Sequence, residues 1–206
     1  MYIIDKVTLD EERHEAVIQC NGHLYRVTEY DCNRLGITQG IELSDSLFEK
    51  LNQAESRLAC IQKAFTHLSY GDLSKKRLID KLRRSFEPKL CREIADLMEE
   101  RGYINDLSLA TRYADNYNSL RLYGPLRIKQ ELFGKGFTRE VIDEVMEPYL
   151  SVDHRDSVRE LLEQKFLRYR SNDPSVKKKA AAWLNRQGYS WSDISDVLNE
   201  FFSQID

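Results

Sequence analysis

The sequence YGPLRIKQELFGKGFTREVIDEVM, at residues 123–146, predicts two helices joined by a tight corner. Pro125 is favoured in the first turn of a helix, and Gly136 is suited to end that helix in a left-handed conformation. Thr138 can then cap the second helix, because its hydroxyl accepts a hydrogen bond from a first-turn amide. Apolar residues recur three and four positions apart in both segments, so each helix has one face to bury.

This pattern returns about fifty residues downstream, which indicates an internal repeat. The matched pairs are Leu132 and Leu184, Gly136 and Gly188, Phe137 and Tyr189, Ile142 and Ile194, and Met146 and Leu198. A weaker upstream copy, without the glycine, contains Leu82, Phe86, Ile94 and Met98. The sequence therefore predicts a mainly α protein, built from tandem three-helix repeats that form a curved right-handed or solenoid-like array.

Strand-like alternation precedes the helical part of the chain, at residues 3–9, 16–20 and 24–28. Asn21-Gly22 is a strong signal for a type I′ hairpin turn between the last two of these segments. We expect a small β-hairpin or sheet as an N-terminal extension at residues 1–45. Three-helix repeats are expected to follow at residues 46–102, 103–150 and 151–206.

Local capping signals predict where the individual helices begin and end. Ser46 with Glu49 predicts a capping box for the first long helix, which is expected to end near Tyr70. Helices are then expected at about residues 74–86, 88–101, 105–120 and 152–169, in addition to the central pair. Asp173-Pro174 and the pair Ser190 and Asp193 predict the starts of the last two helices.

Composition indicates a globular, cytoplasmic protein without a membrane segment or targeting signal, and we expect a monomer that needs no cofactor. The chain has 41% hydrophobic residues and a formal net charge of −3, with only short apolar runs. Its four cysteines form no CxxC pair, so a disulfide scaffold is not expected. A zinc site could be imagined from His14, Cys20, His23 and Cys32, but their spacing matches no standard ligand pattern.

Charge is segregated between equivalent helices of the three repeats. Residues 74–86, 125–136 and 175–187 carry net charges of +5, +2 and +4. The helices that follow them, at residues 88–100, 138–147 and 190–203, carry −2, −3 and −3. Stacking of the repeats would place a positive stripe along one side. The alternative is an ordinary solvated surface with intramolecular ion pairs.

A family resemblance rests on Arg112, Tyr117 and Arg121, followed by Gly124-Pro125-x-Arg127-Ile128-x-x-Glu131-Leu132-x-x-Lys135-Gly136. This segment resembles the RecX family, regulatory proteins of the RecA recombinase, and the surrounding repeats cover about residues 54–203. The resemblance implies a non-enzymatic modulator that binds in the groove of the RecA filament on single-stranded DNA. It also implies inhibition of strand exchange and of the coupled ATP hydrolysis.

Basic residues of the three repeats are the candidate contacts with RecA or DNA. They are Lys81, Arg83, Arg84, Arg112, Arg121, Arg127, Lys129, Lys135, Lys177, Lys178, Lys179 and Arg186. Arg121 and Arg127 flank the Gly124-Pro125 corner, where guanidinium groups could clamp a phosphate or a carboxylate. The alternative is that both arginines brace the corner. Tyr117 and Tyr123 are expected to pack in the core or at the corner.

Two other functions are alternatives to the regulation of a recombinase. An enzyme is disfavoured because the sequence contains no glycine-rich phosphate loop, nucleophile elbow or metal-ligand spacing. A stand-alone nucleic-acid-binding or transcription-regulating protein is the stronger rival, since a helix–corner–helix with basic residues could enter a DNA groove. Binding to DNA alone and to the RecA filament would separate these two functions.

Overall fold

The computed structural model describes residues 2–169 and 173–203. The described residues divide into two compact units, 2–73 with 77–104, and 74–76 with 105–169 and 173–203. The order of elements confirms the mainly α fold with a small N-terminal antiparallel sheet. None of the described helices is both long and apolar enough to cross a membrane.

The first unit begins with the predicted sheet. Its strands are β1 (Tyr2–Asp10), β2 (Glu15–Cys20), β3 (His23–Thr28) and β4 (Glu42–Leu43), in the order β3-β2-β1-β4. All three strand pairings are antiparallel. Asn21 and Gly22 both have positive φ, at 49° and 76°, so the predicted type I′ turn is confirmed.

The first unit contains α1 (Glu29–Arg34), α2 (Asp45–Ser69), α3 (Lys75–Leu82) from residue 77 onward, and α4 (Pro88–Glu100). The long helix α2 serves two cores. Its first half buries Leu51 and Ala54 against the sheet, and its second half buries Cys60 and Ala64 with side chains of α3 and α4. Helix α2 therefore belongs both to the core beneath the sheet and to the core that it forms with α3 and α4.

The second unit contains two three-helix groups. The first comprises α5 (Asp106–Arg121), α6 (Pro125–Gly134) and α7 (Arg139–Leu150). The second comprises α8 (Arg155–Phe166), α9 (Pro174–Arg186) and α10 (Trp191–Ser203), with a 3₁₀ turn at Leu167–Tyr169. Leu132 and Ile142 are fully buried in the first group, and Leu184 and Ile194 are fully buried in the second. The predicted equivalence of the repeats is confirmed at these positions.

Four local expectations were wrong. Ser44, rather than Ser46, caps α2 by accepting a hydrogen bond from the Leu47 amide, because the helix begins one residue after Ser44. Residues 83–86 leave the helical path of α3 and continue as turns, and α8 is shorter than the predicted 152–169. The three expected strand segments left out β4, which forms because Leu43 and Glu42 pair with Tyr2 and Ile3 at the sheet edge.

Candidate functional site

The Gly124-Pro125 corner is joined to the third repeat through the backbone. The Gly124 amide donates to the Gln187 carbonyl at 2.8 Å, and the Leu126 amide donates to the Gly188 carbonyl at 3.1 Å. The carbonyls at the end of α9 thus accept hydrogen bonds from amides at the start of α6. The negative end of the α9 dipole therefore faces the positive end of the α6 dipole. We call this contact the α6–α9 joint. It occupies the amides that would otherwise make the start of α6 an anion site.

Both glycines of the α6–α9 joint are needed for the close approach of the two backbones. A Cβ on Gly124 would lie 2.5 Å from the Gly188 carbonyl carbon. Gly188 has a φ of +96°, and a Cβ there would overlap the Arg127 backbone nitrogen. Tyr189 completes the joint by donating its hydroxyl to the Leu122 carbonyl at 2.9 Å, and burial raises its pKa to about 12.

A related contact appears at the other end of α6. The Ser74 hydroxyl donates to the Lys135 carbonyl at 2.7 Å, and the Lys75 amide donates to Asp106 Oδ1 at 2.9 Å. Gly136, with a φ of +88°, stands close to Ser74 at this point. The matched glycines Gly136 and Gly188 thus end equivalent helices at equivalent contacts, both with the left-handed conformation that the sequence predicted.

Arg127 is held inside the α6–α9 joint. Its Nη1 donates to Gln187 Oε1 at 2.6 Å, and its Nη2 donates to the Tyr123 hydroxyl at 3.0 Å. The guanidinium carbon lies 3.8 Å from the centre of the Tyr123 ring. Glu131, one turn along α6, lies 3.8 Å from Arg127 Nε. These contacts match the bracing role that was the alternative for this arginine.

Three tyrosines form a stacked row between α5 and α6. Tyr113, Tyr117 and Tyr123 have successive ring centroids 6.2 and 5.7 Å apart, with interplanar angles under 20°. Arg127 lies over the ring at one end, and Lys135 Nζ lies 3.9 Å from the ring centre at the other. Since Tyr117 is buried and Tyr123 is half-buried, both pack against the corner, as expected. Tyr113 and Tyr117 lie four residues apart on one face of α5, and Tyr123 adds the third ring from beyond the end of that helix.

Arg121 has a different environment. Its side chain is exposed, and its Nη1 reaches the Tyr123 hydroxyl at 3.4 Å. Its guanidinium carbon lies 5.6 and 5.8 Å from the centres of the Tyr117 and Tyr123 rings. The hydrogen bond to Tyr123 raises the pKa of Arg121, so the group is a permanent cation at the corner. The guanidinium remains open to solvent.

Three other predicted cations have intramolecular partners. Lys129 Nζ donates to Asp143 Oδ1 at 2.6 Å, which lowers the pKa of Asp143. Lys177 Nζ donates to Asn199 Oδ1 at 2.6 Å and is half-buried. Arg112 lies exposed on α5 and also has an interaction partner. Lys129 and Lys177 therefore fit the alternative interpretation, in which the cations have partners within the protein.

The remaining predicted cations are mostly exposed. In the first unit Lys81 is half-buried on α3, and Arg83 and Arg84 are exposed in the turns that follow it. In the second unit the exposed cations are Lys178, Lys179 and Arg186 on α9. Within residues 2–169 and 173–203, none of these six side chains forms a salt bridge. The carboxylates of α10 pair with α8 instead, Asp196 with Arg155 and Glu200 with Arg159.

A cleft of about 560 Å³ opens at the α6–α9 joint. Its lining residues are Leu126, Arg127, Gln130, Trp183, Asn185, Arg186, Gln187 and Gly188. Sequence reasoning found the two arginines but missed the polar and aromatic residues beside them. The repeat of Gly136 as Gly188 was the one available signal, because it marked the end of α9 as equivalent to the end of α6.

The imagined zinc ligands lie in the first unit. Cys20 and Cys32 are buried, whereas His14 and His23 are exposed. Cys20 Sγ donates to the Ile3 carbonyl at 3.3 Å and Cys32 Sγ to the Ile37 carbonyl at 3.6 Å. Over the described part of the chain, no three His, Cys, Asp or Glu side chains are grouped to hold a metal ion.

The fold and the site define a tandem helical-repeat protein with exposed cations on its basic helices and a two-glycine joint between repeats. Two family models match the chain: "RecX, second three-helix domain" at residues 105–146 and "RecX, third three-helix domain" at residues 153–198. The chain belongs to the RecX family.

Similar proteins cover most or all of the chain. A protein of Listeria innocua named "Regulatory protein RecX" is 28% identical over 199 residues, which are 96% of this chain and 74% of the relative. One of Clostridium acetobutylicum with the same name is 24% identical and covers 98% of this chain and 97% of its own length. A solved structure, "Crystal structure of regulatory protein RecX", shares the fold over both whole chains with a TM-score of 0.79 at 20% identity. The RecX structure from Lactobacillus salivarius covers 74% of this chain with a TM-score of 0.65.

Proposed function

We propose that this protein is a non-enzymatic regulator that binds the RecA filament on single-stranded DNA and inhibits strand exchange and ATP hydrolysis. Its family relatives are named regulatory proteins, which supports a regulatory rather than a catalytic role. In this proposal it acts as a cytoplasmic monomer, and the basic helices supply the contacts with the filament.

The observation that carries the proposal is that, in the third repeat, the acidic helix α10 pairs with α8 and, among the described residues, leaves lysines of α9 unpaired. Arg155 and Arg159 of α8 pair with the carboxylates of α10, at 2.8 and 2.9 Å. Lys178 and Lys179 of α9 therefore remain exposed to an external partner. Cations that are free of internal pairs can neutralise phosphates and release counterions, which is the main source of sequence-independent affinity for nucleic acid.

Arg121 and Arg127 have separate parts in this proposal. Arg121 is the exposed guanidinium at the corner, so it can bind a filament phosphate or a carboxylate directly. Arg127 fixes the corner through Gln187 and Tyr123. A transcription regulator that inserts the start of α6 into a groove is disfavoured, because the Gly124 and Leu126 amides are already bonded to α9.

The test is RecA's ATPase rate on single-stranded DNA, titrated with wild-type protein and with two double variants. Lys178→Ala with Lys179→Ala removes two exposed cations of α9. Lys50→Ala with Lys89→Ala makes the same charge change at exposed lysines outside the basic helices. We expect the wild type and the control to inhibit equally. The α9 variant should need several-fold more protein for half-inhibition, since each lost phosphate contact weakens binding.

Two results would contradict the proposal. A RecA ATPase rate that stays constant at every ratio of wild-type protein to filament would remove the function itself. Equal inhibition by the α9 variant and by the wild type would keep the function but remove α9 from the contact. Circular dichroism melts of both variants serve to show that the fold is retained.

A further inference from the structure

The cleft at the α6–α9 joint has a lining that suits a negatively charged ligand. Arg127 and Arg186 line it, and none of its lining residues is acidic. Arg186 is exposed, whereas the Arg127 side chain is only 28% exposed. Arg127 already has Glu131 3.8 Å from its Nε, whereas Arg186 forms no salt bridge among the described residues. Arg186 is therefore the cation of the cleft that is open to an anionic group.

The cleft also offers an aromatic ring and two amide side chains. Trp183 is half-buried and is held by Lys165, whose Nζ lies 4.4 Å from the centre of the indole, and by the neighbouring Phe166 ring. Gln130 and Asn185 line the cleft as exposed amides that can both donate and accept hydrogen bonds. An indole, two guanidinium groups and two amides are the groups that proteins use to hold an unpaired nucleotide.

We infer that this cleft binds one nucleotide of single-stranded DNA, with its phosphate at Arg186 and its base against Trp183. The inference rests on the proposed function and assigns the single-stranded DNA of the filament, rather than RecA, to this cleft. The volume of about 560 Å³ lies within the range of clefts that hold small ligands. A lone carboxylate of an acidic protein segment would use the arginines but would leave the indole and the amides without partners.

Intrinsic fluorescence of the full chain tests the inference, because the protein has two tryptophans. Trp191 is 62% exposed, so Trp191→Phe leaves Trp183 as the single emitter without opening a cavity. The probe is a short oligothymidylate, titrated at low and at moderate salt. A base that stacks on Trp183 quenches its emission, and the quenching should saturate with the same midpoint as binding measured by anisotropy of a labelled oligonucleotide.

Two variants in the Trp191→Phe background locate the nucleotide. Arg186→Ala should raise the dissociation constant several-fold and lower the salt slope by about 0.7, as expected for one lost phosphate contact on a single strand. Asn185→Ala should weaken binding without changing the salt slope, because it removes no charge. Lys50→Ala, an exposed lysine of the first unit, serves as the control and should match the parent.

The outcomes separate this inference from the proposed function. Constant Trp183 emission would contradict the nucleotide assignment, whether or not anisotropy shows that the oligonucleotide binds. If Arg186→Ala weakens binding to RecA without DNA while quenching is absent, the cleft holds an acidic protein segment instead. Inhibition of the RecA ATPase by the wild type in either case would leave the proposed function standing. Quenching without any effect on RecA would remove that function and keep a DNA site.

Discussion

Arg121 and Arg127 flank the same corner, but only Arg127 is tied to the rest of the molecule. Gln187, which accepts its hydrogen bond, lies 60 residues away along the chain. Local spacing predicted that both arginines approach the corner, and it could not reveal which of them has a distant partner. The motif residues were therefore predictable from the sequence, whereas their division between bracing and contact depends on the folded repeat beyond them.

Arg127→Ala is expected to destabilise the protein by about 1–3 kcal/mol, because it leaves Gln187 and Tyr123 without a charged hydrogen-bond donor. Arg121→Ala should leave the urea denaturation midpoint unchanged, since its side chain is exposed. Among variants that remain folded, Arg121→Ala should weaken the inhibition of RecA more than Arg127→Ala does. A large loss of stability in Arg121→Ala, or none in Arg127→Ala, would contradict this division.

Asp143 makes stability depend on pH in the acid range. The hydrogen bond from Lys129 is the main cause that lowers its pKa below the ordinary 3.8. A carboxyl whose pKa is lower in the folded state stabilises above the unfolded pKa, and this stability is lost as pH falls through the folded pKa. We expect the difference in urea midpoint between wild type and Lys129→Met to shrink below about pH 4. A constant difference across that range would show that Lys129 acts through packing alone.

At the scale of elements, the signals that succeeded were those contained within one turn. Thr138 and Asp173 each accept a hydrogen bond from a first-turn amide, as their positions predicted. Not every one-turn signal succeeded, since Ser44 and not Ser46 caps α2. Other failures involve boundaries that no local signal marks. The strand β4 exists because β1 offers it an edge, and the first turn of α8 starts at His154 without a side-chain cap. Periodicity alone could not locate either boundary.

The matched core positions Leu132 and Leu184 should respond alike to truncation. Both are fully buried in three-helix cores. Leu132→Ala and Leu184→Ala are each expected to cost about 2–5 kcal/mol, through lost burial and the cavity that remains. Urea denaturation of each variant provides the measurement, with Leu120→Ala as a control because Leu120 is 78% exposed. A loss at only one of the two leucines would contradict their structural equivalence.

Gly188 is the most restrictive position of the α6–α9 joint. Gly188→Ala would introduce a Cβ against the Arg127 backbone and would strain the φ of +96°. We expect a loss of about 1–3 kcal/mol, because an alanine is disfavoured in this backbone region even before the overlap is relieved. Gly134→Ala provides the control, since a Cβ there would meet nothing within 4 Å. Hydrogen exchange of the Gly124 and Leu126 amides should accelerate in Gly188→Ala alone.

At the scale of the whole molecule, the repeat period and the motif were enough to predict the fold class and the family. The sharing of α2 by the sheet and by the first three-helix group was not predictable, because one amphipathic face can be assigned to either core. The boundaries at residues 45, 102 and 150 remain predictions. Exposure of the α9 lysines also needed the structure, since the sequence gives charges but not the pairing of α10 with α8.

The last prediction concerns DNA binding by the intact chain. In the proposed function, exposed cations such as Lys178 and Arg83 would contact phosphates without reading bases. Binding should then be independent of sequence and should weaken steeply with salt. Residues 1–50 carry five basic and ten acidic side chains, and this negative charge should keep the affinity for free DNA modest.

The measurement is a binding-site selection from random duplex and single-stranded pools, followed by salt titrations of the affinity. We expect no enriched motif, and a salt slope that falls by about 0.7 for each exposed lysine of α9 changed to alanine. Recovery of a defined duplex motif would contradict the filament regulator and favour a transcription regulator. A slope that is unchanged by the loss of both Lys178 and Lys179 would place the phosphate contacts on other helices.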